Sequence, residues 1–238
     1  MLKQTISDAL FDFRCRLHPE ASIFSVRLPL DPILSRPLRQ AIAGRLYERN
    51  EMDIVIMTLE PNDRVLECGA GIGLLSSYCA MRLGSDRVRT VEANPFMAPL
   101  IARTFDMNKV RPALVVGAIG PVHGQIDFHV RHNFWASSAH PDRADGAALT
   151  ISVPLIPLHD EILRHRPSYL FIDIEGGEEQ LTDSSDLPGV SKVMAEVHPE
   201  LIGAGVDRFV SWLQRLGFVK NEALSHAREF FFVRPALL

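Results

Sequence analysis

Arg64-Val65-Leu66-Glu67-Cys68-Gly69-Ala70-Gly71-Ile72-Gly73 is the stretch on which the reading of the chain turns. Val65 and Leu66 form a short apolar run ending in an acid, three glycines follow at alternate positions, and Leu74 to Leu83 then reads as a helix. The order is strand, tight turn, helix. A strand that reverses into a helix over a bound ligand needs backbone angles closed to other residues, and a Cβ would hold the ligand off the main chain. The helix N-terminus left behind presents free N–H groups and partial positive charge.

Spacing separates two ligand classes that use such a turn. A dinucleotide site follows G-x-G-x-x-G, whose third glycine lets the helix pack beside a pyrophosphate; here that position is Leu74. The observed run is acidic-x-G-x-G-x-G, with Glu67 two residues before the first glycine. A carboxylate there repels a pyrophosphate and suits the ammonium group of an amino-acid moiety. The turn therefore points to S-adenosylmethionine, with Glu67, Gly69, Ala70, Gly71 and Gly73 as cofactor-binding candidates. A tight turn with no ligand has the same pattern, so the rest of the chain must decide.

The 238 residues, 47% of them hydrophobic, suffice for one α/β domain with an extension, read as a cap over residues 1–50 and a cofactor-binding domain over 51–238. The net charge of −4 gives no overall basic field to attract nucleic acid or an anionic membrane. Cys15, Cys68 and Cys79 are odd in number and form no C-x-x-C pair, which argues against a disulfide framework or structural zinc; no metal ligand set is read. The N-terminus lacks a basic patch followed by an apolar stretch, and no run approaches the roughly 18 apolar residues of a spanning helix. The expectation is a soluble cytoplasmic protein.

Within the cap, Ser22 to Leu28 alternates like a strand, Pro29, Pro32 and Pro37 punctuate the chain, and Arg36 to Tyr47 predicts a helix. Glu51 to Leu59, apolar on most faces, predicts a buried helix. Strands are then predicted at Arg64–Glu67, Arg87–Glu92, Ala113–Ala118, Ser168–Ile174 and Val193–Val197, alternating with helices at Leu74–Leu83, Phe96–Lys109, Leu158–Arg166 and Asp207–Leu216. Such alternation means a parallel sheet with helices on both faces and ligands at the carboxyl ends of the strands. Phe218–Asn221 and Glu229–Val233 are too close for a crossover, so they add an antiparallel hairpin. That ending is common in class I methyltransferases. Between Gly120 and Pro157 the rhythm breaks into two strand-like runs, Gln125–His132 and Leu149–Val153, around a polar segment carrying Trp135, Ser137 and Ser138. Long loops of this kind are often lids or binding loops, and these three are candidates for acceptor contact.

Glu92 closes the second strand 25 residues after Glu67, where a carboxylate can accept hydrogen bonds from both ribose hydroxyls; the related dinucleotide turn has its acid about 20 residues on. Ala93 and Asn94 follow it, and Gly117, Ala118 and Ile119 after the third strand border the adenine position. At the end of the fourth strand, Asp173 and Glu175 lie two apart and would face one volume on an extended backbone; Asp173 also borders the cofactor. Glu196 and His198 have the same relation after the fifth strand. Coupled carboxylates can hold a proton at raised pKa, and a histidine titrates near neutrality. Asp173, Glu175 and His198 are thus the catalytic candidates, Glu196 and His198 the acceptor-side ones, and Glu178 reads as a helix-capping acid.

Tyr47-Glu48, VLECGAGIG, VEANP, VVGAIG, FIDIEGGE and EVHP, in that order, resemble the FkbM family of S-adenosylmethionine-dependent methyltransferases, whose diagnostic block is D-x-E-G-x-E after the fourth strand. The resemblance runs from about Tyr47 to Val219. It implies a Rossmann-like class I sandwich, a seven-stranded mostly parallel sheet with the antiparallel C-terminal hairpin. It also implies S-adenosylmethionine as donor and a hydroxyl of a sugar, polyketide or other small metabolite as acceptor. By position, Glu67, Gly69, Gly71 and Glu92 fall in the cofactor motifs, and Asp173, Glu175 and Gly176 in the family block. The family usually has Asp at position 67 and Asn at 71. That altered motif leaves a cofactor-binding module without turnover as one alternative, beside an NAD-dependent oxidoreductase. The hairpin and the cap could each support a homodimer.

Overall fold

The computed structural model describes residues 2–131, 149–183 and 186–235. Ahead of the main sheet stand α1 (Leu2–Leu17), a hairpin of β1 (Glu20–Ile23) and β2 (Val26–Pro29), α2 (Arg36–Ala43) and α3 (Arg49–Thr58). Helix α1 has no counterpart in the sequence reading. Leu10, Phe13 and Leu17 are exposed, so no clean apolar stripe marks it; it is tied by Phe11 and Cys15, which pack on the core, and by charge, Asp12 pairing with Arg36 (2.7 Å) and Arg39 (2.9 Å) of α2. The hairpin reverses at Phe24 and Ser25, both left-handed (φ 49° and 71°), a geometry that matches the twist of the two strands.

Helix α2 starts with the Ser35 side chain accepting from the Leu38 N–H, and it ends four residues before the predicted Tyr47, the chain leaving the helix after its Gly44 cap. The chain then passes through left-handed Arg45 and Glu48 (φ 60° and 46°) into α3. That departure from the helix matters for the site described below.

The main sheet is built from β3 (Val65–Cys68), β4 (Val88–Glu92), β5 (Ala113–Val116), β9 (Tyr169–Ile172), β10 (Lys192–Glu196), β11 (Val219–Lys220) and β12 (Glu229–Val233), in the order β11-β12-β10-β9-β3-β4-β5. All pairings are parallel except those of β12, antiparallel to β10 and β11. This is the expected α/β architecture with its antiparallel ending. Between the strands lie α4 (Leu74–Leu83), α5 (Ala98–Asn108), α6 (Leu158–His165), α7 (Pro199–Ile202) and α8 (Gly205–Arg215). Each face of the sheet is covered, and β9 shows why: Tyr169 and Phe171 pack with Met52, Tyr78 and Phe105 on one side, Leu170 and Ile172 with Ile162, Phe209 and Trp212 on the other.

The predicted third strand, Ala113 to Ala118, is two strands. β5 stops at Val116, Gly117 donates its N–H to the Glu92 carbonyl (2.9 Å), and β6 (Ala118–Gly120) leaves for a second sheet with β7 (Gly124–Val130) and β8 (Leu149–Pro157). β8 runs parallel to β6 and antiparallel to β7. Trp135, Ser137 and Ser138 lie outside the described residues. Among the described residues no helix is long and apolar enough to cross a membrane.

Candidate active site

Parallel register brings Cys68 opposite Val91 and Ile172, so β3, β4 and β9 end at one level and their following loops meet. A cavity of about 670 Å³ opens above these ends. Gly69, Gly71, Ile72, Glu92 and Ala93 line one side, Gly117, Ala118 and Ile119 continue it, and Asp173, Glu175, Glu196 and His198 line the other.

The glycine turn is in contact on both flanks. Gly69 is left-handed (φ +93°), and a Cβ there would stand 1.7 Å from the Asp173 carbonyl oxygen, because the ends of β3 and β9 close on each other through the Asp173 N–H and the Cys68 carbonyl (2.8 Å). At Gly71 a Cβ would stand 2.4 Å from the Tyr47 hydroxyl and 2.9 Å from Glu48 Oε1. Tyr47 and Glu48 therefore roof the turn, and together with Glu51 they line the cavity. The family resemblance contained Tyr47-Glu48, but only the early end of α2 brings the pair over Gly71.

Glu92 is held by the turn itself. Its Oε2 accepts the Ala70 N–H (3.0 Å) and its Oε1 the Asn94 N–H (2.8 Å). Burial pushes its carboxyl up to about 7, while the N–H donors of Asn94, Ala70 and Gly71 pull it back. Ala70 and Asn94 thus touch Glu92 rather than line the cavity. The Asn94 amide nitrogen is buried with no partner. Gly73 caps α4 in left-handed form (φ 82°).

Glu67 departs from its expected position beside an amino-acid moiety. It is 1% exposed, does not line the cavity, and lies near the hydroxyls of Ser76 and Thr90; its Oε2 has no hydrogen bond. Burial raises its carboxyl to about 8, against the pull of Thr90 and Ser76. A strand covered on both faces leaves a carboxylate at that position no open side.

On the opposite wall β9 ends at Ile172, so Asp173 and Glu175 are not on an extended strand as predicted. They reach the cavity through a left-handed turn at Glu175 and Gly176 (φ 50° and 94°). His198 is at the centre of an acidic ring. Its Nδ1 is 3.0 Å from Glu178 Oε1, and its Nε2 stands 3.6 Å from Glu175, 3.7 Å from Glu196 and 4.0 Å from Asp173. Burial alone would lower its pKa, but the hydrogen bond to Glu178 and the charges of Glu175, Glu178 and Glu196 win and lift it to about 9. His198 therefore carries its proton at neutral pH instead of titrating there. Burial, then Glu51, raises Glu196 to about 8. Burial, then Glu196, Glu175 and Glu48, drives Asp173 well above the carboxylate range.

Glu178 is more than a cap. It is fully buried, and the Oε1 that faces His198 also accepts the Gly176 N–H (3.2 Å). Its place as the last acid of the D-x-E-G-x-E block was the available signal.

Comparison with known proteins gives the family. The model of the FkbM methyltransferase domain matches residues 67–220. A search of curated proteins finds no relative. Among solved structures, the chain is similar to precorrin-6y C5,15-methyltransferase from Geobacter metallireducens GS-15 (14% identity, 78% of this chain and 86% of that one, TM-score 0.46). It is also similar to M. jannaschii TYW2 in complex with AdoMet (12%, 91% and 86%, 0.47) and to the O-methyltransferase from Bacillus cereus in complex with SAH (13%, 86% and 91%, 0.43). With the family model covering well over half of its length, the chain belongs to the FkbM family of S-adenosylmethionine-dependent methyltransferases.

Proposed function

We propose that the protein methylates a hydroxyl of a sugar, polyketide or other small metabolite in this cavity, with the donor along the glycine turn and the acceptor against the Asp173–His198 wall. The observation that carries the reading is the division of one cavity between Glu92 with its turn and the ring of acids around His198. The first half fits the donor. Glu92 is pre-set for the ribose by Ala70 and Asn94, the Gly69 turn keeps side chains off the main chain, and Ala118, Ile119, Ile126 and Phe128 give an apolar border for adenine.

When bound, the donor supplies a methyl group already activated on sulfur. The chain's task is alignment, which in well-oriented systems is worth about 7–11 kcal/mol. Asp173 and Glu196, both raised above the usual carboxylate range by burial and by neighbouring acids, are suited in their ionised form to take the proton from the acceptor hydroxyl, adding about 10²–10⁴-fold. His198, positively charged, keeps these acids from repelling one another and positions them. Full-length protein incubated with S-adenosylmethionine and a panel of hydroxylated acceptors tests this by release of S-adenosylhomocysteine. Asp173→Asn should cut kcat by about 10²-fold or more while S-adenosylhomocysteine binding stays within a few-fold. Unchanged turnover in both Asp173→Asn and His198→Ala would leave alignment alone as the mechanism. Methylated amines with no methylated hydroxyl would overturn the acceptor class.

A further inference from the structure

We propose that Asp173, Glu196 and His198 form a site for one divalent transition-metal ion of the Mn²⁺ or Fe²⁺ class on the acceptor wall of the cavity. One ligand atom from each of the three lies within 4.8 Å of the others. His198 Nε2 stands 3.7 Å from Glu196 and 4.0 Å from Asp173 Oδ1. Two metal–ligand bonds of about 2.1 Å at a tetrahedral angle separate their ligand atoms by about 3.4 Å, so the two His198 distances close with shifts of about half an ångström.

Proximity of acids alone would mean little, and three independent features point to a cation. Asp173 Oδ1 is buried with no hydrogen-bond partner. The His198 side chain is 4% exposed, yet its Nε2 is turned toward carboxylates that all stand beyond hydrogen-bond distance. Its other nitrogen, Nδ1, donates to the fully buried Glu178, itself anchored by the Gly176 N–H, so that an ion displacing the Nε2 proton of the imidazolium meets a lone pair already directed into the ring. A buried carboxylate behind the ligating histidine is the usual outer support of a metal site. One imidazole with carboxylates favours Mn²⁺, Fe²⁺, Co²⁺ or Zn²⁺ over an all-oxygen calcium or magnesium cage. The neighbouring group Glu51, Glu196 and Glu229 is the weaker candidate, because it offers no nitrogen and Glu229 already accepts from the Asn50 amide (3.1 Å).

The role of such an ion rests on the proposed transfer reaction: facing the cavity, it would hold the acceptor oxygen and favour its deprotonated form. The binding itself is testable without turnover. Full-length protein stripped with chelator is titrated with Mn²⁺, free ion being followed by electron paramagnetic resonance, with and without S-adenosylhomocysteine. One Mn²⁺ per chain is expected, weakened tenfold or more in His198→Ala and in Asp173→Asn, by about 10–100-fold in Glu178→Gln, and unchanged in Glu229→Gln. Absence of stoichiometric Mn²⁺, Co²⁺ or Zn²⁺ binding up to about 1 mM overturns the site, as does binding that survives His198→Ala or is lost in Glu229→Gln. If His198→Ala does not fold, as judged by circular dichroism, loss or retention of affinity in Glu178→Gln decides the question. S-adenosylhomocysteine binding without metal binding removes the ion and leaves the methyl-transfer reading intact; failure to bind S-adenosylhomocysteine strikes that reading instead.

Discussion

Glu67, one residue short of the end of β3, and Glu92, the last residue of β4, lie on neighbouring parallel strands and meet different fates. Glu92 faces the cavity with two backbone N–H groups on its carboxylate, so it is aimed before any ligand arrives. Glu92→Ala should therefore lower S-adenosylhomocysteine affinity about tenfold or more, since a hydrogen bond to a charged group is worth about 1.5–3 kcal/mol; calorimetric titration reads it. Glu67 is sealed inside, with its carboxyl raised from 4.5 to about 8. The folded state thus binds a proton that the unfolded chain releases above pH 4.5. Its contribution to stability is fully present below that pH and is lost as pH rises toward about 8. Glu67→Gln should flatten the fall of stability across this window by up to about 1.4 kcal/mol per pH unit, measured by urea unfolding at several pH values. Parallel slopes for the two proteins would show that Glu67 has the same pKa folded and unfolded.

At the scale of elements, the join between β3 and α4 is the tightest point of the sheet. The Gly69 turn touches the backbone of the β9 end, so Gly69→Ala must push β3 and β9, both central strands, away from each other. We expect a loss of more than about 2 kcal/mol in urea unfolding, together with loss of cofactor binding. Helix α4 itself was legible to the residue, Leu74 to Leu83, because a strand, glycines and a continuous apolar run all mark it. Helix α1 was not, since among its described side chains only Phe11 and Cys15 pack on the core and the rest of its hold runs through Asp12 and two arginines distant in sequence. The third strand was read too long because Ala118 and Ile119 are as apolar as the strand before them. Only the partner strand β8 decides that they leave the first sheet.

For the whole molecule, both halves of the cavity are built on the carboxyl ends of strands of one sheet, so ligand binding should be coupled to global unfolding. At S-adenosylhomocysteine concentrations about 100 times its Kd, the unfolding free energy should rise by about 2.7 kcal/mol, while NADH at the same concentration should give no shift in melting temperature. A stabilising effect of NADH would contradict the donor assignment that family membership implies. The parallel sheet with its antiparallel end and the donor class followed from local pattern, since alternation of apolar runs and a glycine turn are properties of neighbouring residues; the order of strands across the sheet did not. The general address of the acids, at strand ends, followed too. Which of them face the cavity did not. Glu67 turns inward, Tyr47 and Glu48 drop over Gly71, and Glu178 stands behind His198 only once β9, β10 and the end of α2 are packed. Residues far apart in the chain set the protonation of each carboxylate by burial and by one another's charge, and that mutual arrangement exists only in three dimensions.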